Sequence, residues 1–94
     1  MTASLSLIDQ ILEISQDYLG PAAERFVDRQ ISTHLKKRPE KITPEDVYKL
    51  IDWIKLSFAL LTNDTGMVEQ YAKRLRLVAE GKWSEAIGKK WAQK

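Results

Sequence analysis

The sequence predicts an all-α protein, a four- or five-helix bundle with a central two-faced third helix. Apolar residues recur at spacings of three and four in each long segment, no stretch alternates with a period of two, and turn-forming residues leave connections of about two to six residues. Short connections of this kind join antiparallel neighbouring helices. We expect a single helical domain over residues 1–94, with residues 82–94 as a C-terminal helix or tail rich in tryptophan and lysine.

The composition is that of an ordinary soluble domain. The 94 residues are 44% hydrophobic and 30% charged, carry a net charge of +2 and include no cysteine. Without cysteine the chain has no disulfide, no thiolate nucleophile and no cysteine-ligated metal. No run approaches about 18 consecutive apolar residues, the length of a membrane span, and no positively charged segment precedes an apolar run near the start. We therefore expect an unprocessed cytoplasmic protein.

The first predicted helix, about residues 4–19, is amphipathic. Its polar face carries three acids at i, i+4 and i+8: Asp9, Glu13 and Asp17. The last third of the chain holds seven bases and four acids, and we expect this basic part to attract the acidic helix, within or between chains. Gly20 and Pro21 predict a corner, because glycine suits the position after a helix and proline the first turn of the next.

The second predicted helix, about residues 21–37, places Gln30 and His34 on its inward side. We interpret His34 as hydrogen-bonded to Gln30 or to a backbone carbonyl, with a pH-sensitive interface as the alternative. The segment also carries a set of bases: Arg25, Arg29, Lys36, Lys37 and Arg38. The last three complement the negative end of the helix dipole, while the whole set would form a ridge for an anion or a nucleic acid.

The third predicted helix runs from Pro44 to Leu61 and is apolar on two opposite sides. Thr43 caps it, proline occupies its first position, and two acids follow in the first turn. At about 100° per residue, its front face consists of Val47, Leu50, Ile51, Ile54, Phe58 and Leu61. Its rear face consists of Trp53, Leu56 and Leu60. A helix apolar on two sides needs cover on both, so the rear face points to a partner.

The C-terminal segment offers one such cover. A fourth helix is predicted over about residues 65–80, Gly81 ends it, and a short last helix follows over about residues 84–92. Trp83, Ile87 and Trp91 form an apolar stripe at i, i+4 and i+8. We expect this stripe to dock on the rear face of the third helix, either in the same chain or in a second chain of a homodimer.

No residue pattern indicates catalysis or a bound cofactor. The chain has no glycine-rich phosphate loop, no nucleophile elbow, and a single histidine without a metal-ligand spacing. We therefore expect a protein that is not an enzyme and that uses no metal, cofactor or small-molecule substrate.

Two runs of the sequence stand out together: Tyr18-Leu19-Gly20-Pro21-Ala22-Ala23 and Ile42-Thr43-Pro44-Glu45-Asp46-Val47. They resemble small helical modules of bacterial signalling proteins, in which a Leu-Gly-Pro-Ile/Ala-Ala corner precedes a helix that opens on Ser/Thr-x-Glu-x-Leu. The resemblance covers about residues 12–62. It implies an interaction or dimerisation module without catalytic residues. The expected function is thus a non-catalytic adaptor or regulatory module that binds protein, with a small nucleic-acid-binding protein as the alternative.

Overall fold

The computed structural model of this protein describes residues 6–87 and confirms the all-α fold. Within that range the α-helices are α1 (Leu7–Leu19), α2 (Ala23–Gln30), α3 (Pro44–Ala59), α4 (Thr65–Ala79) and α5 (Trp83–Ile87). Single 3₁₀ turns occupy Gly20–Ala22 and Pro39–Lys41, and a π turn occupies Ile31–Leu35. α4 packs against α3 on one side of the bundle and also contacts α1 and α5, while α1 packs against α2.

The predicted start of the third helix is confirmed. The Thr43 hydroxyl accepts a hydrogen bond from the Asp46 backbone N–H (3.2 Å), and the Asp46 carboxylate accepts one from the Thr43 N–H (2.9 Å). The two residues therefore form a capping box, which satisfies donors that the first helical turn leaves unpaired. Lys37 Nζ lies 2.5 Å from the same carboxylate and ties the end of the second helical segment to the start of α3.

The core contains the predicted front face of α3 with one exception. Five of its six residues are buried: Val47, Leu50, Ile51, Ile54 and Phe58. The prediction is wrong for Leu61, which is 64% exposed. α3 ends at Ala59, and Leu60 and Leu61 form a turn, so the helical angle no longer places Leu61 in line with Phe58.

A buried aromatic and polar cluster joins α1 to α4. The Tyr71 hydroxyl donates to Ser15 Oγ (2.5 Å), and both residues are almost completely buried. Burial raises the pKa of Tyr71, so the phenol stays protonated. The Tyr71 ring stacks on Tyr18 (4.7 Å between centroids) and meets Phe58 edge to face (5.3 Å).

Arg74 on α4 extends this cluster to α5. Its guanidinium donates from Nε to the Ala86 carbonyl (2.8 Å) and from Nη1 to the Tyr18 hydroxyl (3.1 Å), and Nη2 pairs with the Asp17 carboxylate (2.9 Å). Burial alone lowers the pKa of Arg74, but the hydrogen bonds with Tyr18 and Asp17 outweigh it and raise that pKa. The expected attraction between the acidic first helix and the basic C-terminal part is therefore seen within the chain at Asp17 and Arg74.

The second helix is less regular than the sequence predicts. In place of one helix over residues 21–37, the chain forms a 3₁₀ turn, the short α2, and a π turn that ends when Lys36 adopts left-handed backbone angles (φ 54°). The Lys36 N–H donates to the Ile31 carbonyl (3.0 Å) and closes the wide turn. Because a π turn holds more residues than an α turn, it changes the direction of the side chains that follow Ile31, including His34.

Candidate docking surface

The rear face of α3 is open in the described part of the chain. Trp53 is 42%, Leu56 61% and Leu60 87% exposed. Large apolar side chains on a surface are common one at a time, but these three follow one another at i, i+3 and i+7 on one side of α3 and its C-cap, a spacing typical of an interaction surface. The sequence identified these residues correctly as a second apolar face, and among residues 6–87 the structure leaves Leu56 and Leu60 mostly exposed and Trp53 partly exposed.

His34 contacts this face in a way that the sequence did not indicate. Its imidazole stacks on the Trp53 indole, with 3.9 Å between ring centroids and 3° between ring planes. The expected hydrogen bond to Gln30 is not formed, since Gln30 Oε1 is buried and has no hydrogen-bond partner among the described residues. The π turn supplies the reason, because it directs His34 to α3 instead of placing it one helical turn above Gln30.

An open depression of about 340 Å³ lies between the π turn and α3. Its lining combines aromatic, aliphatic and charged side chains: His34, Leu35, Lys49, Asp52, Trp53 and Leu56. Lys49 and Asp52 lie one helical turn apart on α3 and are both exposed. The depression is thus an apolar floor with one cation and one anion at its edge, an arrangement that suits an apolar side chain of a protein partner. Neither the depression nor its charged edge was predicted.

The described part of the C-terminal segment does not cover this face, which corrects the expectation for Trp83 and Ile87. Both side chains are half-buried and pack against the core, with α5 resting on α4 and α1. Ala86 is completely buried, and its carbonyl accepts the hydrogen bond from Arg74, so α5 is held at that position. Trp91, the third residue of the predicted stripe, lies outside the described residues.

The predicted basic ridge is interleaved with acids, and three of its five bases line one depression. Lys37 pairs with Asp46, and Arg38 Nε lies 3.0 Å from the Glu40 carboxylate. Lys36 is exposed at the left-handed position that ends the π turn. Arg25 and Arg29 are exposed along α2 and line one shallow depression together with Lys37 and the acid Asp28. Carboxylates therefore reduce the positive field that a phosphate backbone would meet.

Comparisons with protein-family models, curated proteins and solved structures give no match for this chain. The fold and the surface therefore define the class of protein by themselves: a small all-α bundle with an exposed apolar helix face. Within residues 6–87 no helix combines the length and apolar character of a membrane span, and no three His, Cys, Asp or Glu side chains come together as a metal site.

Proposed function

We propose that this protein is a non-catalytic protein–protein interaction module, acting in the cytoplasm as an adaptor or regulatory component and able to form a homodimer. The exposed rear face of α3 (Trp53, Leu56 and Leu60) carries the proposal. Water contact with this face is unfavourable at about 25 cal/mol per Å² of apolar surface, so its burial by a partner drives association.

The chemistry of the face supports protein as the partner. Trp53 is a tryptophan, one of the residue types that most often dominate the binding energy of an interface. It lines a depression that a partner side chain can fill. Lys49 and Asp52 at the edge are positioned to orient the partner by charge without being buried themselves. The resemblance to bacterial signalling modules supports a regulatory role of the same kind.

The proposal is tested by substituting the centre of the face. We expect Leu56→Ser to lower affinity for any true partner by about tenfold or more, because it removes apolar contact area and places a hydroxyl at the interface. The measurement is quantitative affinity purification from the native cell at high salt, followed by titration of the purified partner by calorimetry.

Tyr48→Ser is the matched control. Tyr48 is also on α3 and is 45% exposed, but it lies outside the rear face. Partners that bind through the rear face are retained by Tyr48→Ser and lost by Leu56→Ser. If every partner, including a second copy of the chain, binds the two variants equally, the proposal is wrong.

A further inference from the structure

We infer that the rear face of α3 is closed by the same face of a second copy, with the two α3 helices antiparallel about a two-fold axis between Leu56 and Ser57. This inference rests on the proposed function, because it uses the same docking surface. It goes further by committing the rear face to a second copy and by fixing which residues of the two chains meet.

The register follows from the spacing of the exposed residues. In a two-fold contact, residue i of one protomer meets residue j of the other and j meets i. Trp53 and Leu60 lie at equal distances on either side of the proposed axis, so in an antiparallel pair each Trp53 meets the Leu60 of the other copy. Both residues point away from the core, which makes the two contacts equivalent and simultaneous.

The shapes of the two halves are complementary. Leu60 is the most exposed large apolar residue described and projects from the end of α3. The depression beside Trp53, about 340 Å³ in volume, is open and large enough to receive a leucine side chain. Near the axis, Ser57 is small and allows the two helix backbones to approach closely.

The charges favour the antiparallel arrangement over a parallel one. Lys49 is exposed on α3, and Asp64 is exposed in the connection that follows the end of α3 at Ala59. In the antiparallel pair, Lys49 therefore approaches the turn after α3 of the other copy, where Asp64 and the carbonyl end of the helix are negative. In a parallel pair Lys49 would meet Lys49, which is repulsive.

The area available predicts a weak dimer. α3 has 16 residues and is about 24 Å long, so one helix pair buries about 1,000 Å² in total. Stable complexes bury about 1,200–2,000 Å², and contacts below that range are typically transient. We therefore expect a dissociation constant in the micromolar range, visible by sedimentation equilibrium between about 5 µM and about 500 µM.

Single cysteines test the arrangement directly, because the 94 residues include none. In the full chain, Ser57→Cys near the axis is expected to form an intermolecular disulfide rapidly on mild oxidation. Lys49→Cys is far from the axis and is expected to form one at least about tenfold more slowly. Equal rates for the two variants would indicate a parallel or non-specific contact and would overturn the inference.

Surface variants test the partner contacts without a thiol. Leu60→Ser and Lys49→Glu are each expected to weaken the dimer about tenfold or more, and added salt to recover part of the loss only for Lys49→Glu. Tyr48→Ser is expected to leave the dimer unchanged, and circular dichroism checks that each variant is folded. A wild-type chain that remains monomeric at about 500 µM overturns this inference. If a different protein still binds through Leu56 in that case, the proposed function stands.

Discussion

At the residue scale, the Asp46 carboxylate accepts three hydrogen bonds from two residues and has little contact with water. It accepts hydrogen bonds from the Thr43 N–H, the Thr43 hydroxyl and Lys37, and the residue is 7% exposed. The hydrogen bond from Lys37 lowers the pKa of Asp46, and the bonds from Thr43 lower it further, while burial opposes them. The lowered pKa means that the folded protein favours the ionised carboxylate more than the unfolded chain does.

This difference between the pKa of Asp46 in the folded and in the unfolded chain predicts a pH dependence of stability. Because the pKa of Asp46 falls from 3.8 in the unfolded chain to a lower value in the fold, its contribution is complete above that unfolded value and is lost as pH falls through the folded pKa. We expect Asp46→Asn to cost about 1–2 kcal/mol at about pH 7 and to flatten the loss of stability below about pH 4. Urea denaturation across that pH range measures both effects.

Glu45→Gln is the control for Asp46→Asn. Glu45 is an exposed acid in the same first turn of α3, so it shares the favourable position near the helix dipole but not the buried hydrogen bonds. Its substitution is expected to change stability by a few tenths of a kcal/mol. Parallel pH profiles for the two variants would show that the hydrogen bonds to Asp46 do not set the acid sensitivity.

At the scale of elements, the corner between α1 and α2 depends on backbone geometry. Gly20 follows α1 with φ 58° and ψ −136°, a combination that an L-residue with a side chain adopts only with strain. A Cβ added there would meet nothing within 4 Å, so the requirement for glycine comes from the backbone and not from crowding.

Gly20→Ala is therefore expected to lower the free energy of unfolding by about 1–3 kcal/mol, through strain alone. Gly66→Ala is the comparison, since Gly66 lies within α4 and alanine is the better helix former. Its Cβ would lie 3.3 Å from Asp64 Oδ1, which caps α4 by accepting from the Met67 N–H, so this close contact offsets the gain in helix propensity and we expect a change within about 0.5 kcal/mol. Thermal unfolding of the two variants measures the difference, and equal melting temperatures would contradict the backbone explanation.

The π turn is the element that sequence rules did not predict. An α-helical periodicity over residues 21–37 fits the apolar residues well enough, since Ala23, Val27 and Ile31 are indeed buried. The departure begins after Ile31, where the Lys36 N–H returns to the Ile31 carbonyl. No glycine or proline lies within this turn to mark it in the sequence, and it occurs together with two tertiary contacts, the stack of His34 on Trp53 and the pair of Lys37 with Asp46.

At the scale of the whole molecule, the tryptophans at positions 53 and 83 have different roles. The sequence placed them on two sides of one interface, whereas the structure packs Trp83 against the core and leaves Trp53 on the surface. Arg74 fixes this outcome by holding the Ala86 carbonyl while it pairs with Asp17, so α1, α4 and α5 are joined at one side chain.

Substitution of the two tryptophans is accordingly expected to affect different properties, the free energy of unfolding for Trp83 and the affinity of the dimer for Trp53. Trp83→Ala removes half-buried core contacts and should lower the free energy of unfolding by about 1–3 kcal/mol while the affinity of the dimer is retained. Trp53→Ala removes the stack on His34 but no core contact, so it should lower the free energy of unfolding less than Trp83→Ala does and should weaken the dimer. Denaturation by urea and sedimentation equilibrium on both variants separate the two effects. If both variants lost dimer affinity to the same extent and neither lost stability, Trp53 and Trp83 would instead belong to one interface.

The sequence by itself determined most of the helices, the cap at Thr43 and most of the two apolar faces of α3, because hydrogen bonding within a helix and a periodicity of 3.6 residues are local properties. For that reason the sequence predicted the helix cap at Thr43, the corner at Gly20 and the second apolar face of α3. Only the tertiary structure decided what covers each face. The hydrophobic effect is non-directional, so an apolar stripe such as Trp83 and Ile87 gains nearly the same free energy on any apolar surface that fits it. The choice was made by contacts between residues far apart in the chain, such as Arg74 with Asp17 and Ser15 with Tyr71, whose pairing no local pattern encodes.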